Sequence, residues 1–226
     1  MSAPTLSSRD LQVRLAVYHY ILEHTTAPAP ATLAAQLGLA LPAVRQSLAR
    51  LHQQHLLVLE PDGHSIRMAH PFSAIPTGYP VTVGQQRFWA NCAWDSLGIP
   101  AVLHRDARID TTFTYSGEPT SYAAAAGALV APDGGVVHFP LPFRHWYDDL
   151  IRTCATMLLF RSDAAVDAWC AATGEPRGDT VPLAQVWALS LEWYAPRLDP
   201  TYQGRTPAQA VAVFDRAGLR SSFWKA

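Results

Sequence analysis

Three prolines interrupt the ten-residue segment Pro71–Pro80, near the end of the first third of the chain. Proline lacks the backbone N–H group that helices and strands use, so this segment cannot be regular throughout. We interpret it as a linker between two domains. A chain of 226 residues is long enough for two small domains, each with a buried core. The prolines therefore predict a first domain over residues 1–70 and a second over residues 81–226.

The first 70 residues show the patterns of a small helical unit. Apolar residues at helical spacing predict helices over 11–23, 32–37 and 41–54. Two apolar runs follow, and Pro61-Asp62-Gly63 between them is typical of a hairpin turn. Those runs are Leu56–Leu59 and Ile66–Met68. Three helices followed by a hairpin are the layout of a winged-helix-like domain.

Beyond residue 80, helical and strand patterns alternate without an internal repeat. They predict helices over 89–97, 164–172, 181–194 and 206–217, and a helix that begins within 146–151. They predict strands over 101–104, 109–115, 136–139 and 157–160, whereas 123–130 is ambiguous. The predicted fold class is α+β, with mixed helices and antiparallel sheet in the second domain.

Charge and cysteine content exclude several functional classes. The net charge is −1, from 17 Lys and Arg residues against 18 Asp and Glu residues, which argues against a strong binder of polyanions. No run of about 18 apolar residues predicts a membrane-spanning helix. Met1–Arg9 lacks the pattern of a secretory signal, and three cysteines favour reduced thiols over a disulfide framework. We therefore expect a cytoplasmic protein.

The densest group of reactive side chains is the segment Cys92-Ala93-Trp94-Asp95-Ser96-Leu97. In a helix, Cys92 and Asp95 would lie on the same side, about one turn apart. Apolar surroundings favour the protonated form of a carboxyl group, which can donate a proton. The alternative left open by spacing alone is a small buried cysteine beside a surface aspartate. Four aromatic residues could line a pocket here or belong to the core: Phe88, Trp89, Trp94 and Phe160.

The other two cysteines carry less information. Cys154 stands where a predicted helix runs into a strand, a junction that often presents side chains to a cleft, although simple burial is the alternative. Cys170 lies among alanines and is most simply a packing residue. The sequence has no C-x-x-C pair and no cysteine–histidine spacing typical of structural zinc. The nine histidines match no common metal site either, and we assign them no role.

Three segments, in this order and at these separations, resemble the organomercurial lyase (alkylmercury lyase) family. They are Phe72-Ser73-Ala74-Ile75-Pro76-Thr77, Cys92-Ala93-Trp94-Asp95-Ser96-Leu97, and the stretch from Arg152 to Phe160. The resemblance implies that Cys92 and Cys154 are the family's two essential thiols and that Asp95 is its essential carboxylate. Trp94 departs from the family, in which smaller aliphatic residues are common at this position, and its bulk would narrow the pocket.

The activity implied by the resemblance is protonolysis of a carbon–mercury bond, which gives a hydrocarbon and Hg(II). Mercury is a soft metal that prefers thiolate sulfur, so Cys92 and Cys154 would hold it. Asp95 would deliver the proton to carbon and act as a weaker oxygen ligand to the product. Mercury is then substrate and product, and no cofactor is implied. The expected partners are an organomercurial small molecule and an acceptor for Hg(II), either cellular thiols or mercuric reductase.

Two other functions remain open at this point. A winged-helix domain could bind DNA through Arg45, Gln46 and Arg50 on its third helix. However, five arginines against four acidic residues give residues 1–70 a net charge near +1, which is weak for phosphate contacts, so nucleic acid is an unexpected partner. A family member could also bind or sense mercury, or another soft metal, without turning over an organomercurial.

Overall fold

Three helices begin the described part of the chain. The structure is a computed structural model that describes residues 6–131 and 134–226, so the segment Met1–Arg9 lies partly outside it. The helices are α1 (Ser8–His24), α2 (Pro30–Leu37) and α3 (Leu41–Gln53). They confirm the three helices predicted from periodicity, with α1 beginning three residues earlier because Ser7 and Asp10 form a capping box.

An ion pair joins the first helix to the third. Asp10 has a fully buried side chain, and its Oδ1 accepts a hydrogen bond from Arg50 Nη2 at 2.7 Å. Ser7 donates its backbone N–H and its hydroxyl to the same carboxylate. Arg50, one of the three side chains considered for DNA contact, is therefore engaged inside the helical unit.

A small antiparallel sheet follows the helices. Its strands β1 (Val58–Leu59), β2 (Ile66–Ala69) and β3 (Phe72–Ser73) lie in the order β1-β2-β3. The predicted hairpin is confirmed, with Gly63 in the left-handed region at φ 74°. The proline-rich segment supplies β3 and is otherwise irregular up to Tyr79, as the prolines predict. The winged-helix assignment and the division at residues 71–80 stay predictions.

Five antiparallel strands form the largest sheet, in the order β5-β4-β6-β7-β8. Buried and exposed residues alternate along β4 and β6, because one face of the sheet packs on the core. The ambiguous stretch 123–130 resolves into the end of one strand and the whole of the next. The strands are β4 (Pro80–Val83), β5 (Gln86–Trp89), β6 (Ala107–Thr112), β7 (Pro119–Ala125) and β8 (Ala128–Val130).

Helix α4 (Ala93–Leu103) corrects two predictions. The helix predicted over 89–97 begins later, because Trp89 ends β5 and Cys92 is the N-cap. The strand predicted over 101–104 is wrong, since the helix continues through Pro100 to Leu103. Every residue of α4 except Leu103 is buried, so its apolar residues lack the one-sided pattern of a surface helix and are easily mistaken for a strand.

The described residues from 134 onward combine a three-stranded antiparallel sheet with four α-helices and short 3-10 turns. The sheet has the order β10-β9-β11, from β9 (Val136–Phe139), β10 (Leu159–Phe160) and β11 (Asp179–Pro182). The helices are α5 (Leu150–Thr156), α6 (Asp163–Thr173), α7 (Leu183–Tyr194) and α8 (Pro207–Arg216). The helix predicted over 181–194 starts two residues late because Val181 and Pro182 pair with β9.

Mixed helices and antiparallel sheets confirm the predicted α+β class. The first helix is tied to the later part of the chain by polar contacts as well as by the core. Tyr18 donates its hydroxyl to the carbonyl oxygen of His70 at 2.8 Å, and Arg14 donates to the carbonyl oxygens of Arg197 and Asp199. Within residues 6–131 and 134–226, no helix has both the length and the apolar character needed to cross a bilayer.

Candidate functional site

Cys92 begins helix α4 and is almost fully buried, at 1% exposure. It occupies the N-cap position, and its Sγ accepts a hydrogen bond from the backbone N–H of Asp95 at 3.3 Å. An N-cap side chain reaches the third residue of its helix, so a three-residue spacing brings the thiol beside Asp95. Cys92 and Asp95 thus lie about one helical turn apart, as their spacing predicts, although Cys92 caps the helix rather than lying within it.

The Asp95 carboxyl group points into the protein interior, with 1% of the residue exposed. Tyr194 Oη donates to its Oδ1 at 2.5 Å, and Asn91 Nδ2 donates to its Oδ2 at 2.8 Å. These neutral donors fix the orientation of the carboxyl group without adding charge. The alternative of a surface aspartate is wrong.

Cys154 lies in the last turn of α5 and meets Cys92 across the site. It is 5% exposed, and its thiol lines the same cavity as the thiol of Cys92. A backbone hydrogen bond of 3.1 Å from Ala93 N–H to the Met157 carbonyl holds the start of α4 against the residue that follows α5. Cys154 thus reaches the site from the junction between a helix and a strand, as the position of this cysteine in the sequence suggests.

His70 is a site residue that no motif in the sequence indicates. Its Nε2 lies 3.4 Å from Cys154 Sγ, and its Nδ1 is buried without a hydrogen-bond partner. His70, Asp95 and Cys154 offer potential ligand atoms that all lie within 4.8 Å of one another. No spacing rule points to this histidine. The only signal is its place just before the segment Phe72–Thr77, which carries part of the family resemblance.

The two thiols have opposite protonation tendencies. Burial raises the pKa of Cys92 well above its ordinary value, and the neighbouring Cys154 acts in the same direction. The Cys92 thiol lowers the pKa of Cys154 to about 7, with help from the nearby His70 ring and against the effect of burial. Burial opposes protonation of His70, but the Cys154 sulfur outweighs it and raises the His70 pKa. Near neutral pH Cys154 is therefore the thiol that more readily forms a thiolate, the form that binds soft metals, whereas Cys92 keeps its proton.

The two thiols and the carboxyl group line a cavity of about 50 Å³, which we call the thiol cavity. Trp94 lines this cavity, as proposed from the sequence. Phe88 and Phe160 are buried elsewhere in the core, and Trp89 lies under Arg87 on the sheet. The other aromatic walls come from later segments that periodicity assigns only to helices: Trp146, Tyr147, Trp193 and Tyr194.

Cys170 stands apart from the thiol cavity. It is half-buried on α6, and its Sγ donates to the carbonyl oxygen of Pro176 at 3.6 Å. This position is consistent with the packing role proposed from its alanine-rich surroundings.

Comparisons with known proteins identify a family and a shared fold. Residues 72–195 match the family model described as MerB, alkylmercury lyase. A solved structure described as the mercury-bound form of MerB2 shares the fold, with a TM-score of 0.70 and 24% sequence identity, over 86% of this chain and 94% of that chain. No curated protein sequence matches the chain. Because the family model spans more than half of the chain and includes both thiols and the carboxyl group, this protein belongs to the alkylmercury lyase family.

Proposed function

We propose that this protein is an organomercurial lyase that cleaves the carbon–mercury bond by protonolysis. The observation that supports this most strongly is the meeting of two buried thiols beside a buried carboxyl group, within one small cavity. Family membership gives the reaction class, and the three side chains supply the groups that such a reaction requires.

The thiols bind mercury and activate the bond. The thiolate of one cysteine displaces the counter-ion of R–Hg⁺ and forms the first Hg–S bond. The second cysteine then forms the other Hg–S bond, and its proton passes to the Asp95 carboxylate. Two sulfur donors push electron density through mercury onto the carbon, which makes that carbon easier to protonate.

Asp95 completes the reaction by returning the proton. Its O–H bond breaks and a C–H bond forms as the C–Hg bond breaks, so the products are R–H and Hg(II) held by Cys92 and Cys154. The hydrogen bonds from Tyr194 and Asn91 hold the carboxyl group in place for this transfer. The apolar cavity walls suit the hydrocarbon part of the substrate, and the small cavity volume favours short organic groups.

Mercury is the substrate and the product in this scheme, and the reaction needs no cofactor. Hg(II) leaves by exchange with cellular thiols or with mercuric reductase, because two-coordinate Hg–S bonds exchange readily. The function would be mercury detoxification in the cytoplasm.

Turnover of methylmercury and phenylmercury tests the proposal. We expect the wild-type protein to release methane and benzene, measured by gas chromatography. Cys92→Ser, Cys154→Ser and Asp95→Asn should each abolish release, whereas the matched Cys170→Ser control should keep it. Mercury binding without hydrocarbon release in the wild type would instead favour a mercury-binding or sensing protein.

A further inference from the structure

A second, larger cavity adjoins the thiol cavity. Its volume is about 530 Å³, and we call it the arginine cavity. The two cavities share four lining residues: His55, Tyr147, Trp193 and Arg197. A molecule in the arginine cavity would therefore lie next to the mercury site.

The lining of the arginine cavity is positively charged. Arg197 and Arg205 both line it, and among the described residues no aspartate or glutamate does. Arg205 is already engaged, since it donates to the carbonyl oxygens of Trp193 and Glu192. Arg197 is the cation that stands between the two cavities.

Arg197 lacks an acidic partner in the described part of the chain, although 92% of the residue is buried (8% exposed). Its Nε is buried without a hydrogen-bond partner. Its guanidinium lies 5.9 Å and 5.6 Å from the ring centroids of Tyr194 and Tyr202. The nearby Arg14 and Arg205 are also cations, so they do not balance its charge. Aromatic faces offset only part of the penalty for burying a cation, so this guanidinium is suited to an anion.

Asp95 does not fill that role, although it lines the thiol cavity. Its oxygens are held by Tyr194 and Asn91, and it forms no ion pair with Arg197. A guanidinium binds a carboxylate through two parallel hydrogen bonds, which makes a carboxylate the anion that its geometry fits best.

We propose that Arg197 binds a carboxylate on the molecule that exchanges mercury with the two cysteines. This inference rests on the proposed function. The carboxylate belongs either to the organic group of an arylmercurial or to the small thiol that removes Hg(II). In the second case two thiols R′–SH react with the Hg(II)-loaded protein, two Hg–SR′ bonds replace two Hg–S(Cys) bonds, and the two thiol protons pass to Cys92 and Cys154.

The first experiment measures the substrate. Hydrocarbon release is compared for 4-carboxyphenylmercury and 4-(hydroxymethyl)phenylmercury, which differ in charge but little in size. We expect the charged compound to have the higher kcat/KM in the wild type. Arg197→Met and Arg197→Gln should lower the charged-to-neutral ratio about tenfold, the order expected for a charge-assisted hydrogen bond. Arg45→Met, which removes an exposed cation outside both cavities, should leave the ratio unchanged.

The second experiment measures the acceptor thiol and needs no lyase activity. The protein is loaded with HgCl₂, and mercury removal by 3-mercaptopropionate is compared with removal by 3-mercaptopropanol, from the loss of Hg–S ultraviolet absorption. The charged thiol should react faster, with an advantage that falls about tenfold in both Arg197 variants. A loss of charge preference on substitution in either experiment supports the proposal and identifies the carrier of the carboxylate.

Equal rates for charged and neutral molecules in the wild type, in both experiments, would overturn the inference. So would a charge preference that persists in both Arg197 variants. If no hydrocarbon forms from any organomercurial, the lyase proposal fails, and the thiol experiment on the Hg(II)-loaded protein still decides the role of Arg197.

Discussion

Gly98 connects helix packing to the orientation of the proposed proton donor. It lies in α4 against Tyr194 of α7, the tyrosine that donates to Asp95. A Cβ atom added at Gly98 would lie 2.7 Å from Tyr194 Cε2 and 2.9 Å from Pro71 Cβ. Carbon atoms do not approach so closely without repulsion, so Gly98→Ala must displace the Tyr194 ring.

The effect on stability should be modest. Overpacking a buried contact costs about 1–3 kcal/mol, whereas replacing a helical glycine with alanine returns about 1 kcal/mol. We therefore expect the free energy of unfolding to fall by roughly 0–2 kcal/mol. The displaced ring lengthens or breaks its hydrogen bond to Asp95, and the cost of that change is part of the overpacking cost. If that bond orients Asp95 for proton transfer, the rate of hydrocarbon release should fall about tenfold or more.

Two measurements on the same variants separate the effects. Urea unfolding gives the stability, and benzene release from phenylmercury gives the rate. Tyr194→Phe removes the hydroxyl without a clash and should reproduce the loss of rate. Gly78→Ala adds a methyl group in open space and should change neither quantity by much. Full activity in Gly98→Ala, or in Tyr194→Phe, would refute the idea that Tyr194 orients Asp95.

Three further predictions concern other parts of the molecule. Arg50→Met should lower the free energy of unfolding by about 3 kcal/mol in urea at pH 7, because it leaves the buried Asp10 carboxylate without its counter-charge. Burial opposes ionisation of Asp10, but hydrogen bonds from Arg50 and from nearby serines together outweigh it and lower the Asp10 pKa. The difference in stability between wild type and variant should therefore shrink as pH falls below about 4, and a difference independent of pH would contradict this. Alkylation by iodoacetamide can be followed for each cysteine by peptide mass spectrometry. The alkylation rate of Cys154 should rise through about pH 7, whereas Cys170, whose pKa is raised by burial, should react only at higher pH. The reverse order would show that the thiol pair is wrongly assigned. Trp94→Leu should raise kcat/KM for phenylmercury relative to methylmercury about tenfold, measured from benzene and methane, and an unchanged ratio would mean that Trp94 does not limit substrate size.

Local patterns in the sequence predict the helices that have a polar face and the strands that alternate. Helices α1 and α3 are found close to their predicted bounds because each has one buried side and recognisable ends. Helix α4 is misplaced because it is buried all round, and burial removes the periodic contrast on which prediction depends. Pro100 does not end this helix either, because the helix is stabilised by dense packing against the rest of the protein.

The candidate site divides in the same way. Cys92 and Asp95 are predictable because their proximity depends on one helix start, and Cys154 stands at a recognisable junction. His70, Tyr194 and Arg197 reach the thiol cavity from a strand–loop junction and from the end of α7 and the turn that follows it. Their contribution depends on long-range packing, which no local spacing encodes. The family resemblance supplies the reaction, but it does not supply these three side chains.

Helix α1 supports residues that line the thiol cavity, although none of its own side chains lines it. Tyr18 anchors the peptide oxygen of His70, and Arg14 anchors those of Arg197 and Asp199. The segments that carry His70 and Arg197, two residues that line the cavity, are thus both anchored to one helix. An insertion or deletion within α1 would shift Arg14 and Tyr18 and break both sets of contacts together. Such a change should therefore lower activity as much as a substitution beside the sulfur atoms.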